Sequence, residues 1–357
     1  MKVLVVAVSA RMLAELAVAD GYEVVAVDRF GDVDLRAVAS ATTAQSNDAL
    51  TELAAEVEAD AVVYGAGFEN RPDLVRRLAE RHELLGTPPE LLPEVRDPRA
   101  VGAAARAAGA RAPDTRVTGQ RDGGMWLRKP RHGGGGRGIR PWKGGSLRPT
   151  ELLQRRIDGL SCSAVAIGDG RCAVMLGLTE QLHRSPGFQW MGNLTPPRLP
   201  EEEADELDGR LRAVCTEVAA RFGVRGAFGI DAIWDGRDAW VLEVNPRPPA
   251  SLELFGRGSF AAHVSGARGL GVRVGAASPA APSAKAKLVL FAERDLRAPD
   301  PAWWPAGLVH DVPHGGEEIK RGAPVCTLIS TDANLPALIE RGARLLSGLQ
   351  GAILLHD

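Results

Sequence analysis

The chain has almost no net charge. Over 357 residues, 43 Lys and Arg stand against 45 Asp and Glu, a formal net of −2. A surface so balanced exerts no general pull on nucleic acid or anionic membrane, so neither is expected as a partner. Cysteine is also scarce. Cys162, Cys172, Cys215 and Cys326 form no C-x-x-C pair and no Cys/His group, which argues against a structural zinc site or a disulfide framework and fits a reducing compartment. No apolar run reaches the roughly 18 residues of a membrane span. The apolar start looks like a leader only briefly, because Arg11 and Glu15 interrupt it; it reads better as a buried strand, and the expected location is the cytoplasm. Two phosphate signatures are missing as well. The loop after the first strand is Ser9-Ala10-Arg11 rather than G-x-G-x-x-G, which argues against a dinucleotide site, and no G-K-[ST] ending marks a Walker A loop.

What the chain has in excess is glycine and proline, 41 and 24 residues, implying many tight turns. Its length implies two or three packed units. Lys2 to Val8 is a β-branched run typical of a parallel strand buried on both faces, Arg11 to Ala19 has helical spacing, and Glu23 to Val27 is a second strand. A helix around Ala49 to Glu58 leads to a strand at Ala61 to Tyr64. The first 90 or so residues therefore read as an open α/β layer. Thr87 to Pro98 is a proline-rich boundary, followed by an alanine-rich helix over Ala100 to Ala108.

Trp126 to Pro141 holds four consecutive glycines, Gly133 to Gly136, flanked by Arg128, Lys129, Arg131, Arg137 and Arg140. Such a run costs conformational entropy and has no use in a core. It reads either as a linker or as a cationic turn whose backbone N–H groups close on a polyphosphate. Glu151 to Val165 reads as strand, turn at Asp158-Gly159, strand, and Glu201 to Arg221 as an amphipathic helix. Phe228 to Trp234 and Ala239 to Val244 flank the turn Asp235 to Asp238, which makes a hairpin. Glu243 and Asn245 share a face of the second strand, and a carboxylate among apolar neighbours calls for a cation such as magnesium. With a two-residue loop Asp231 lies opposite Leu242; with one bulged residue it lies opposite Glu243. Arg247 stands just beyond the strand, placed to contact a transferring phosphoryl group.

Together, Lys129-Pro130, Gly133 to Gly136, Gln154 to Gly159, Asp231 and Glu243-Val244-Asn245-Pro246-Arg247-Pro248 resemble the ATP-grasp superfamily over roughly residues 97 to 270. Ser9 to Arg11, Val27 to Asp34, Tyr64 to Asn70 and Met191 to Pro196 look like one subgroup, the predicted ATP-dependent carboligases of archaea and one-carbon-metabolising bacteria. The resemblance implies an α/β (α+β overall) chain in three parts. These are an open parallel α/β pre-ATP-grasp domain (1–95), a two-lobed ATP-grasp module (96–275) and a small C-terminal β domain (276–357).

It also implies roles. Lys129 would reach ATP phosphates with Gly133, Gly134, Gly135 and Gly136 folding over them. Gln154, Arg155 and Ile157 would form the hinge at the adenine. Asp231, Glu243 and Asn245 would hold magnesium, two ions or manganese in its place, and Arg247 would stabilise an acyl phosphate. The reaction implied joins a small carboxylate to an amine with release of ADP and phosphate, in coenzyme biosynthesis and in a chain compatible with a homodimer. An ATP-grasp carboxylase or phosphoryl-transfer enzyme and a regulatory nucleotide-binding protein are the alternatives. Two positions depart from the superfamily pattern. No lysine stands at the start of the module, where Arg99 is one residue out of step, and Ser161 replaces the acid that grips ribose.

For the acceptor, the loops at the carboxyl ends of the parallel strands carry Ser9, Arg11, Asp28 and Glu69. Such loops face the ligand crevice of an open sheet. Arg11 at a helix start suits a carboxylate, and Asp28 or Glu69 an amine; singly, each also reads as a cap, a turn or a surface pair.

Overall fold

The computed structural model of the chain describes residues 1–119, 123–272, 284–331 and 334–353. Strands β1 (Lys2–Val6), β2 (Glu23–Asp28), β3 (Ser40–Thr43), β4 (Ala61–Tyr64) and β5 (Glu83–Leu84) form a parallel sheet in the order β3-β2-β1-β4-β5. The β-branched runs put side chains on both faces. Leu4, Val6, Val62 and Tyr64 pack with Leu50, Leu74 and Leu78 on one side. Val3, Val5 and Val63 pack with Leu13, Leu16 and Phe260 on the other. The helices Arg11–Ala19, Asn47–Ala55 and Pro72–Ala79 lie between the strands in sequence. β3 has the sequence SATT and is largely exposed, so no hydrophobic pattern announced it. The proline-rich boundary contains a short helix, Leu92–Val95, and runs into the helix Pro98–Ala107.

A small antiparallel sheet follows: β6 (Thr115–Arg116), β7 (Trp126–Pro130), β8 (Arg140–Pro141) and β9 (Glu151–Arg155), in the order β6-β9-β7-β8. The glycine run is the connection between β7 and β8. Next come β10 (Leu160–Asp169), β11 (Ala173–His183), β12 (Trp190–Thr195), β13 (Arg225–Trp234) and β14 (Ala239–Asn245). They make one antiparallel sheet in the order β14-β13-β10-β11-β12. Ala164, Ala166, Met175 and Leu178 pack on Leu207, Leu211 and Val214 of the helix Glu201–Phe222. That helix opens with three glutamates and stops at Gly223, whose φ of +63° a glycine adopts without a Cβ penalty.

The last strands are β15 (Lys285–Phe291), β16 (Leu296–Arg297), β17 (Val309–His310), β18 (Glu318–Ile319) and β19 (Pro324–Ser330). They have a core of their own, including Leu288, Leu290, Leu328 and Leu338 of the helix Leu335–Ile353. β16 and β18 pair in a two-stranded sheet of their own, but β15, β17 and β19 do not stand apart. β15 pairs with β12 and β19 with β15, so the large sheet continues through them to eight strands. The expected boundary at 275/276 lies outside the described residues. Among the described residues no helix is long and apolar enough to cross a membrane.

Candidate active site

The β13–β14 hairpin settles the register that its sequence left open. Ile230 pairs with Val244 and Asp231 with Glu243, whereas Ala232 pairs with Val241. Leu242 is therefore an extra residue, a bulge that brings the two acids face to face. Asp231 is half-buried at the cleft floor, and its hydrogen bonds come from amides rather than cations. Gln181 Nε2 donates to Oδ1 at 2.8 Å and Asn245 Nδ2 to Oδ2 at 3.0 Å. Burial, and then the charge of Glu243, push the Asp231 carboxyl up to about 7. Two opposed acids, with only amides bonded to Asp231, form an oxygen donor set that a hard divalent cation suits, so the residues fit magnesium.

The same sheet face extends this polar surface. Ser161 Oγ donates to Gln181 Oε1 at 2.9 Å, and Ser163 lies 2.8 Å from Thr179. Asn193 Nδ2 donates to Thr179 at 2.7 Å and its Oδ1 accepts from Trp190 Nε1 at 3.0 Å. Strand periodicity explains the arrangement: Cys162 and Ala164 alternate with Ser161 and Ser163 and point into the core beneath.

The small sheet supplies the facing wall. Lys129 Nζ donates to Gln154 Oε1 at 2.9 Å and stands 3.9 Å from Glu243. Above them the glycine run bends over the cleft. Gly135 and Gly136 have φ of +60° and +69°, and Trp190 N–H donates to Gly135 O at 3.0 Å. A Cβ on Gly136 would lie 1.7 Å from Phe188 O, so only glycine allows this approach. The resulting cleft, about 520 Å³, is lined by Lys129, Gly133 to Gly136, Gln154, Arg155 and Ile157 on one side. Asp231, Glu243, Asn245 and Arg247 line the other.

Arg247 is held from the first domain: its Nε donates to Glu69 Oε1 at 3.2 Å, and Glu69 Oε2 accepts Gly67 N–H at 2.6 Å. Burial works against the Glu69 charge, but Arg247 and Arg96 outweigh it and hold the carboxyl below its ordinary value. Sequence reasoning missed Arg96. Its guanidinium donates to Val244 O (2.8 Å), Gly133 O (3.2 Å) and Asn70 Oδ1 (3.2 Å), and it lies 3.9 Å from Glu243. It thus ties the first domain, the glycine loop and the acidic strand together. It was hidden in the proline-rich stretch read as a boundary. Gln181 was also missed; the one signal was a polar residue recurring along an otherwise buried strand.

Ser9, Arg11 and Asp28 are not brought to the cleft. Asp28 is fully buried and accepts from Ala10 and Gly31 N–H groups, at 3.2 and 2.8 Å. Ser9 Oγ reaches Asp311 at 3.4 Å. Arg11 is wholly buried and forms a bidentate pair with Asp311, at 3.0 and 3.1 Å, with further bonds to Glu15 and Glu253. Its donors are taken by internal carboxylates. Nearby Asp32 is also buried, and burial, then repulsion from Asp311, Asp34 and Asp28, raises its carboxyl to about 9. Folding therefore favours neutral Asp32. That contribution is complete below its ordinary 3.8 and is lost as pH rises through about 9. Asp32→Asn is expected to melt above the parent at neutral pH, with the gap widening from about pH 5 to about pH 9. A gap that stays constant in thermal melts across that range contradicts this account.

Residues 103–251 match the ATP-grasp domain. The chain carries that domain and has the fold of the ATP-grasp superfamily. Among solved structures it is similar to the biotin carboxylase domain of Hydrogenobacter thermophilus 2-oxoglutarate carboxylase, in complex with MgADP, ADP and bicarbonate. That match has a TM-score of 0.73 and 16% identity over 95% of this chain and 88% of the other. It is also similar to N5-carboxyaminoimidazole ribonucleotide synthetase from Thermus thermophilus, with a TM-score of 0.67 and 19% identity over 98% of each chain. Biotin carboxylase from Campylobacter jejuni matches with a TM-score of 0.67 and 14% identity, over 91% of this chain and 86% of that one.

Proposed function

We propose that this chain is an ATP-dependent carboxylate–amine ligase working through an acyl phosphate. The observation that carries the reading is the convergence of Lys129, Asp231, Glu243, Asn245 and Arg247 on one cleft beneath the glycine run. Binding a nucleotide does not by itself call for Arg247 at the end of the acidic strand. Lys129 offers a point charge to the phosphates, and the glycine backbone excludes water above them. Magnesium bound by Asp231, Glu243 and Asn245 would neutralise charge developing on the phosphates. A carboxylate oxygen attacks the γ-phosphorus, the bond to the bridging oxygen breaks and ADP leaves. The amine then attacks the acyl carbon, and phosphate departs with the C–O electron pair. Arg247, oriented by Glu69, stands where the acyl phosphate's charge collects. Gln154, Arg155 and Ile157 form the hinge at the adenine.

The resemblance to the carboligases of archaea and one-carbon-metabolising bacteria supports a cytoplasmic role in coenzyme biosynthesis, with two magnesium ions or manganese in their place and a homodimer as the assembly. A second reading, in which bicarbonate is the carboxylate, is favoured by the carboxylases among the similar structures.

The test is a screen of carboxylates for magnesium-dependent ADP release in hydroxylamine. Capture of a hydroxamate from an organic carboxylate supports the ligase. ADP release that needs bicarbonate alone selects the carboxylase reading. No ADP release with any carboxylate removes both.

A further inference from the structure

A second cavity, of about 480 Å³, adjoins the nucleotide cleft and shares Arg131 with it. It is closed by the first domain at Glu69 and Asn70, by the boundary helix at Leu92, and by the small sheet at Leu152. Its size is that of a small-molecule site. Reactive-site groups stand where the two spaces meet. Arg96 lines the second cavity while its donors reach Val244 and Gly133 at the first. Glu69 lines the second cavity while its partner Arg247 lines the first.

The cavity is electropositive. Arg96, Arg99 and Arg131 face two acids, with His132 beside them. One of these, Glu69, is already paired with Arg247. The other, Asp97, caps the helix that starts at Pro98, accepting Arg99 N–H at 2.9 Å. Arg131 lines both this cavity and the nucleotide cleft, and its Nε donates only to a backbone carbonyl, Glu151 O at 3.3 Å. Among the described residues no acid is paired with the side chain of Arg99 or Arg131. Both are exposed, so a ligand can reach them. Exposed guanidiniums at the rim, with the charge of Arg96 at the inner end, make a two-point anion site.

We infer that this cavity holds the carboxylate substrate, and that the substrate carries a second anionic group, a carboxylate or a phosphomonoester. Arg99 and Arg131 grip that second group, and the reacting carboxylate is directed toward Arg96 and Arg247. The inference rests on the ligase reading for the direction of the reacting end, but the two-anion site stands on the cavity itself. Arg99, out of step for a nucleotide phosphate, thereby acquires a ligand in the adjoining cavity.

The experiment uses the full chain saturated with MgADP, with saturation verified for each variant because Arg131 also lines the nucleotide cleft. Binding of glutarate, 3-phosphoglycerate and butyrate is measured by calorimetry in the parent, in Arg99→Ala/Arg131→Ala, and in the exposed-surface control Arg148→Ala. At least one of the two dianions is expected to bind tenfold or more tightly than butyrate. Glutarate doing so identifies a carboxylate as the second group, and 3-phosphoglycerate a phosphomonoester. The double variant is expected to lose that preference and the control to keep it. Equal binding of all three by the parent, or a preference that survives in the double variant, overturns the inference. Absence of MgADP binding in the parent would instead sink the nucleotide-site reading, and the dianion comparison is then repeated without nucleotide and read by the same criteria.

Discussion

Glu243→Ala is expected to abolish magnesium-dependent ADP formation, with a loss of about 10³-fold or more, while leaving the fold intact. The two halves of this result have one cause. Glu243 faces Asp231 across the bulge, and its charge is a principal reason, after burial, that Asp231 is raised to about 7. Removing it deletes one oxygen ligand and also one repulsion. Asp231 keeps its bonds from Gln181 and Asn245, so the strand pair has no new unpaired charge to accommodate. Lys129 and Arg96 each lose an acid 3.9 Å away but retain their hydrogen bonds. ADP release and thermal melting, measured on the same preparation, separate the two halves. An active Glu243→Ala enzyme would remove this residue from the site, and an inactive one that fails to fold would show a structural role instead.

Arg11→Met is expected to have the opposite character, a large loss of stability that begins far from the chemistry. Arg11 is fully buried and serves Asp311, Glu253 and Glu15. Burial opposes its charge, yet these acids hold its guanidinium above its ordinary value. In return, against the effect of burial, Arg11 and Lys287 keep Asp311 and Glu253 below theirs. Breaking a buried pair by removing one partner costs about 3–5 kcal/mol, because the other charges remain. Asp311 also sits at φ +53°, an uncommon conformation for a residue with a side chain, and Arg11 holds it by both oxygens.

The pH dependence carries the sign. In the parent, the depressed Asp311 and Glu253 contribute stability above their ordinary values of 3.8 and 4.5, and that stability is lost as pH falls below them. Without Arg11 the buried Asp311 loses the largest charge opposing its burial and its carboxyl is raised, while Lys287 stays with Glu253. The contribution of Asp311 is then present at low pH and lost as pH rises. The deficit of the variant in denaturant melts should grow from about pH 5 to about pH 8. A deficit that shrinks over that range contradicts the clamp.

Much of the site was legible in the residues. The glycine run with its flanking cations, the acid–x–amide spacing of Glu243 and Asn245, and the hairpin turn at Asp235 to Asp238 are local signals. Backbone periodicity and glycine's freedom read the same way wherever the chain goes. Likewise β1, β4 and the helix Glu201–Phe222 follow from short-range hydrophobic spacing. Arg11 shows where such reasoning ends. A cation at a strand end faces either a ligand or a distant acid, and its partners Glu253 and Asp311 are more than 240 residues away.

The sequence by itself determined the kinds of chemistry present: a cationic glycine turn, an acidic hairpin and a parallel layer buried on both faces. Only the tertiary structure decided how they meet. The bulge at Leu242 turned Asp231 toward Glu243, the boundary stretch became the wall containing Arg96, and the C-terminal strands joined the large sheet at β12. A one-residue shift in strand register reverses a side chain's face, and a charge is neutralised by whichever group packing brings to it. Neither outcome is fixed by neighbours in sequence, because both are settled by contacts between segments far apart along the chain.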